Sequence, residues 1–478
     1  MVSRFINKTR VRLLSFIIAT LFVTPIILDS PQAHGETEFE KFKRQKNQEF
    51  SQFQTEYDRA FISYLDKHWE AFDVYQGKVR DTTPKIKTPP AVRNNRSTQL
   101  QPTEQSKLAI KRTYRMVNQG SGFFGHSIDT ISFPVGPQQF PELSTVTNKK
   151  LKSVWQQLSE TDHESTIEQL KRTQADLDLG DWGTIKLVEH LLERQFSDRN
   201  QRRAYAWFIL NRLQYEIRTG YTSNEVVLLM PVEHQVFGRD YISIDKKPYY
   251  ILNKQAKGKV YTYDDVASSP DQQALNFSFN KLIKTSAQIT ELAFDYPIKS
   301  KNQNFKIVFD SGLSDFLKDY PQIALKWYFA TEPQLPTDAS LTTQLEPLVR
   351  DLPERQAVDL LLQITQNMFD YQTDTEQFEQ EKYLLIDESL YYGTNDCEDR
   401  SIFLAWMLRK ILNIETIALD YPGHVALAVR TRVRPGDHLI THQGKKYVIA
   451  DPTYINAALG NVMPKLKNTL PEVIPVVY

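Results

Sequence analysis

Residues 391–412 read YYGTNDCEDRSIFLAWMLRKIL and hold the chain's single cysteine, Cys397. Two later stretches belong with it: DYPGHVALAV at 420–429, carrying His424, and KKYVIADPTY at 445–454, carrying Asp451. After Cys397, the residues Ile402, Phe403, Trp406, Leu408, Ile411 and Leu412 recur near a 3.6-residue period, with no Gly or Pro before Pro422, which predicts a helix. Gly393-Thr394-Asn395-Asp396 supply turn and cap residues in front of it. Cys397 therefore falls in the first turn. Free N–H groups and the positive end of the helix dipole stabilise a thiolate there, and the same amides can donate to an oxyanion. Asp396, Glu398 and Asp399 oppose this, because carboxylates facing the sulfur raise its pKa. Arg400 is their one local offset, so a histidine partner is needed to hold the thiolate.

His424 supplies that partner if it opens a strand. Val425-Ala426-Leu427-Ala428-Val429 is apolar and β-prone, and Tyr421-Pro422-Gly423 is a turn just before it. Tyr447-Val448-Ile449-Ala450 predicts a second strand, ended by Asp451-Pro452. A carboxylate at that place can accept from the imidazole and fix its tautomer. The chain order is cysteine, helix, strand with histidine, strand with aspartate. Each residue alone has a plainer account: a lone Cys is usually a small buried hydrophobe, and a lone His or Asp at a strand end usually serves local hydrogen bonds.

The run G-x-x-D-C-E-D-R with its apolar helix, then G-H-V, then D-P-T, resembles the transglutaminase-like superfamily of cysteine enzymes, circularly permuted relatives of papain-like peptidases. The resemblance spans 356–460, under a quarter of the chain. It implies Cys397 as nucleophile, His424 as base and Asp451 as orienter. It does not fix the reaction, since members include cross-linkers, peptidases, amidases and inactive structural copies. No position here matches the family's additional oxyanion donor.

At 478 residues the chain has room for about three domains. Lys+Arg and Asp+Glu both count 58, so no basic excess points to nucleic acid. Residues 1–35 read as a secretory signal. Arg4, Lys8, Arg10 and Arg12 precede an apolar run from Leu13 to Leu28, and Ala33-His34-Gly35 suits cleavage before Glu36. As a helix the run reaches roughly 24 Å, short of a bilayer core of about 30 Å, and an uncleaved anchor is the alternative. Export makes the cysteine count informative: one cysteine forms no internal disulfide, and in an oxidising compartment it fits a reactive role.

Residues 36–77 read as a charged helical arm with an aromatic stripe from Phe39 to Phe72. Packing on the protein's own body or on a sister chain is the plain reading of that stripe. A short coiled coil or a membrane-surface contact is the functional one. Residues 78–105, with Pro84, Pro89, Pro90 and Pro102 among polar residues, read as a linker. Residues 106–260 form a mixed domain, 261–345 a β-rich module, and 346–478 the catalytic domain, whose first helix is expected over about Glu354–Phe369. Within the mixed domain, 198–253 echo the cysteine segment. DRNQRRAYAWFILNRLQYEIRTGY parallels CEDRSIFLAWMLRKILNIETIALDY, NEVVLLM parallels GHVALAV, and KKPYYILN parallels KKYVIAD. Aligned on the shared Ala-Trp pair, Cys397 falls on Asp198, His424 on Glu225 and Asp451 on Asn253. A first copy so altered has no thiol chemistry. The competing account is that an amphipathic helix with two strands recurs by chance; the order of the strands decides between them.

His438 and His442 sit in a hairpin loop with no further ligand to complete a metal site. Asp396, Glu398 and Asp399 could hold calcium, as some relatives need, but the helix dipole and a salt bridge to Arg400 account for them. There is no Walker loop, G-x-G-x-x-G or H-E-x-x-H, so neither cofactor nor metal is expected. The reading is an exported α+β protein, periplasmic or secreted, that acts on a protein or peptide substrate through Cys397, His424 and Asp451, with hydrolysis favoured over cross-linking. The rival is a non-enzymatic envelope scaffold with a vestigial site. A Cys397 sulfur within about 4 Å of His424 in an accessible cleft favours the enzyme; a buried sulfur or a filled cleft favours the scaffold.

Overall fold

The computed structural model describes residues 38–66, 69–79, 83–92, 111–117, 121–128, 130–252, 258–263, 271–280, 282–285, 288–298 and 301–476. The leader segment 1–35 lies outside them, and so does Asn253. Among the described residues no helix is long and apolar enough to cross a membrane. The chain divides into two compact units, 1–57 and 58–478. In the first, the described residues belong to the helix Glu38–Tyr64, where Phe42 is exposed. In the second, the last turns of that helix bury Phe61 edge-on against Trp155, Trp207 and Tyr263, and Asp58 accepts from Trp155 Nε1 and pairs with Arg212.

The predicted helical arm is shorter than expected. Its helix stops at Tyr64, and β1 (Trp69–Asp73) is an edge strand paired with a strand beyond residue 258. Trp69 and Phe72 are three apart, a helical spacing, so the strand is set by its pairing partner and not by the local pattern. Next comes β2 (Thr113–Met116), and then four helices, Asn148–Ser159, Glu164–Asp176, Asp181–Gln195 and Arg199–Arg212. The strands β3 (Arg218–Tyr221), β4 (Val226–Pro231), β5 (Tyr241–Ile244), β6 (Lys247–Ile251) and β7 (Lys259–Tyr263) complete a six-stranded antiparallel sheet in the order β1-β7-β3-β4-β6-β5. Strand β4 is buried along its whole length, which accounts for its unbroken apolar run.

Two ten-residue strands, β8 (Ile289–Ile298) and β9 (Lys301–Asp310), form a three-stranded sheet with β2 in which β8 is central and pairs with both others. Among the described residues the rest of 261–345 is not β-rich. Ser311–Leu317, Leu325–Phe329 and Leu335–Val349 are helices, and Pro347 sits inside the last of them. Helix Glu354–Met368 follows, within a residue of its predicted end. The short strands β10 (Asp370–Tyr371) and β11 (Thr394–Asn395) pair in parallel and bring the chain up to the cysteine helix, Cys397–Leu412. Strands β12 (Thr416–Tyr421), β13 (His424–Val429), β14 (Leu439–His442), β15 (Lys445–Ala450) and β16 (Glu472–Pro475) form an antiparallel sheet ordered β14-β15-β13-β12-β16.

That order repeats β5-β6-β4-β3-β7 strand for strand, and the register repeats with it. Tyr421 faces His424 across the β12–β13 hairpin, as Thr222 and Glu225 close the β3–β4 hairpin. Val429 pairs with Val448, as Met230 pairs with Tyr250. Both following hairpins turn on two left-handed residues, Gln443-Gly444 and Asp245-Lys246, the geometry that matches strand twist. Both helices end on a left-handed residue, Asn413 and Gln214. The indole of each copy, Trp406 and Trp207, is fully buried.

Candidate functional site

Asp396 caps the cysteine helix. Its backbone N–H donates to the Asp399 carboxylate at 3.4 Å. Cys397 is thereby fixed at the first helical position. Ser401, one turn later, donates from a single hydroxyl shared between Cys397 O (2.8 Å) and Val425 O (3.2 Å), which ties the helix start to the histidine strand. Cys397 and His424 line the same cavity of about 380 Å³, together with Thr83, Lys85, Glu381, Tyr383, Glu398, Tyr421 and Leu470.

His424 is buried, and its Nε2 lies 2.9 Å from Asp451 Oδ2. An ionised carboxylate only accepts, so the proton is on Nε2 and the Nδ1 lone pair is left open. Nδ1 is buried without a hydrogen-bond partner. Asp451 is itself held: its Oδ1 accepts from the backbone N–H of Thr453 and Tyr454. The fully buried Gln366 amide donates to the carbonyls of Asp451, Tyr454 and Ala457 and accepts from Asn456 N–H, so the loop behind the carboxylate is anchored to the preceding helix.

The acidic residues do face the sulfur. Cys397 Sγ donates to Glu398 Oε2 at 3.0 Å. Burial pushes the thiol well above its usual pKa, and the charges of Glu398 and Asp396 push the same way, against Lys85. The sulfur's residue is only 1% exposed. Arg400 makes no salt bridge to these acids, contrary to the sequence expectation, although its charge favours the ionised Asp396 and Cys397. Its guanidinium donates to Asn395 Oδ1, Gln366 O and Phe369 O, with Cζ 5.3 Å from the centre of the Tyr371 ring. The paired cation is Lys85, in the stretch expected to be a linker. Lys85 Nζ lies 2.5 Å from Glu398, 2.8 Å from Asp396, 2.8 Å from Glu381 and 3.1 Å from Asp374. Burial works against this ammonium, and Glu398, Asp396 and Asp374 outweigh it, so its pKa is raised. Burial alone would raise Glu398, but Lys85 and its hydrogen bonds bring it down to about 2. Burial lifts Asp374 to about 7, and Asp396 is raised strongly by burial and by its acidic neighbours.

The echo segment places different chemistry at the same positions. Asp198 is exposed and caps its helix by accepting from Gln201 N–H at 2.8 Å. Glu225 is 43% exposed in its side chain, 3.7 Å from Arg203. Among the sequence-selected residues, then, the fold brings Cys397 and His424 to one cavity and couples His424 to Asp451. Lys85, Gln366 and Ser401 are the residues that sequence reasoning missed. What the fold and site define is an α+β protein with a helix-on-sheet unit and a buried Cys/His/Asp constellation. No protein-family model matches the chain, and no curated protein matches it.

Proposed function

We propose that this is an exported cysteine-dependent acyl-transfer enzyme of transglutaminase-like arrangement, acting on amide or peptide bonds. The observation that carries the reading is His424. Its Nε2–H is committed to Asp451, its Nδ1 is buried and unpartnered, and His424 lines the same cavity as Cys397. Nδ1 takes the thiol proton, and the sulfur forms a bond to the amide carbonyl carbon. Backbone N–H groups at the helix start receive the oxyanion. The C–N bond then breaks, and the leaving amine takes the proton from His424. Water attacks the thioester, with His424 again as base, releasing the acid and restoring the thiol. An amine in place of water gives transfer.

A second reading, a binding protein with a vestigial site, is favoured by the buried sulfur and the raised thiol pKa. Reaction with p-nitrophenyl acetate separates the two. The enzyme gives a burst of p-nitrophenolate matched by one acetyl group on Cys397, lost in His424→Ala. A vestigial site leaves the mass unchanged.

A further inference from the structure

Residues 83–92, TPKIKTPPAV, form a strap whose first part lines the Cys397 cavity through Thr83 and Lys85. Ile86 and Val92 pack on the core of the C-terminal sheet, and the strap is pinned by hydrogen bonds from Val92 N to Ile455 O and from Ile455 N to Pro90 O. It lies so close over the β12–β13 turn that a Cβ on Gly423 would sit 2.9 Å from Pro84 O. Its two lysines differ. Lys87 has an 80% exposed side chain, whereas Lys85 is inserted to 8% exposure among Asp374, Glu381, Asp396 and Glu398. Four carboxylates converge on one ammonium, more than a structural ion pair requires. The seat also abuts the reactive atom: Cys397 Sγ and oxygens of Asp396 and Glu398 all lie within 4.8 Å of one another. Two buried polar atoms here have no partner, Asp396 Oδ1 and His424 Nδ1. The cation comes from a segment 311 residues from Asp396 in sequence, so the seat is built by the C-terminal domain and filled from outside it.

We propose that Asp374, Glu381, Asp396 and Glu398 form an alkylammonium-binding subsite beside Cys397, filled in cis by Lys85, so that the strap competes with a substrate peptide carrying a lysine side chain. The word substrate rests on the enzyme reading above; the seat does not. The bound ammonium stays charged among carboxylates, so it orients the peptide and is not the attacking amine. Thr83 and Lys85 of the strap line the cavity beside the buried sulfur.

The test labels Cys397 in the full chain with 2-aminoethyl methanethiosulfonate and with neutral ethyl methanethiosulfonate. Each forms a mixed disulfide and releases methanesulfinate, and each rate is normalised to a free thiol. Two variants are compared with wild type: Lys85→Gln, which empties the seat, and Ile86→Asp, which loosens the strap and leaves every carboxylate in place. The cationic-to-neutral rate ratio is expected to rise about tenfold in both, as charge-assisted recognition gives. Added n-butylammonium chloride is expected to reverse the rise, and calcium chloride at equal ionic strength is not. A ratio that stays at the wild-type value, equal acceleration by both reagents, or reversal by calcium alone overturns the proposal. Should Lys85→Gln fail to fold, Ile86→Asp carries the decision. A failed Cys–His pair shows separately, as labelling that is indifferent to His424→Ala with either reagent.

Discussion

The two helix-on-sheet units share strand order, hairpin register and a buried Ala-Trp pair, yet one holds chemistry-bearing groups in the dry and the other holds charges in water. At the helix start the C-terminal unit has buried Cys397 and the other has exposed Asp198; at the hairpin one has buried His424 and the other has Glu225 near Arg203. The scaffold is therefore not what makes the site. What differs is cover: the strap 83–92 and the acidic seat enclose the C-terminal helix start, so the same positions there are desolvated and electrostatically coupled.

The largest expected effect breaks the equivalence outright. Cys397→Ala should abolish the nitrophenyl acetate burst, a loss of at least about a thousandfold, while Asp198→Ala leaves the burst intact and costs about 1 kcal/mol of stability through the lost cap. A burst that survives Cys397→Ala would place the nucleophile elsewhere.

Next in size are the charge pairs. Lys85→Met strands buried carboxylates and should cost about 3–5 kcal/mol at pH 8 in urea denaturation, whereas Arg203→Met, beside a half-exposed Glu225, should cost about 1 kcal/mol. The Lys85→Met penalty should depend on pH. Asp374 has a folded pKa of about 7, above its unfolded value near 3.8, so the fold favours its protonated form. That contribution is present at low pH and is lost as pH rises from about 4 to 7. With Lys85 gone the penalty should be smaller at pH 5 than at pH 8, by about 1–2 kcal/mol. A pH-independent penalty would mean that the carboxylates are not coupled to Lys85.

The smallest contrast concerns the two indoles. Trp406 Nε1 donates to Glu332 at 2.8 Å, whereas Trp207 Nε1 is buried without a partner. Trp406→Phe should therefore destabilise more than Trp207→Phe, by about 1 kcal/mol, the net worth of one hydrogen bond. Equal costs would show that the hydrogen bond contributes nothing beyond packing.

Much of the C-terminal unit was legible because its signals are local. The period of Ile402, Phe403, Trp406 and Leu408 gives the helix, Pro422-Gly423 gives the hairpin, and the Ala-Trp pair aligns the echo whose strand order the fold repeats. The arm was misjudged past Tyr64 because Trp69 and Phe72, three apart, extend the helical spacing, whereas β1 is chosen by its partner β7, nearly two hundred residues away. Lys85 was hidden by the same distance. Its one trace was an imbalance: Asp396, Glu398 and Asp399 with Arg400 as the sole nearby cation. From that imbalance the sequence reading asked for a histidine partner, not for an ammonium, and nothing in TPKIKTPP says which lysine turns inward.

The central claim is that His424 primes Cys397. Iodoacetamide labelling of Cys397 across pH, wild type against His424→Ala, tests it most directly. The account predicts wild-type labelling below pH 7 that is at least about tenfold faster than in the variant, because His424 takes the thiol proton as the sulfur attacks. Equal rates in the two proteins, rising together only near pH 8.5 or above, would contradict it and leave Cys397 an ordinary buried thiol.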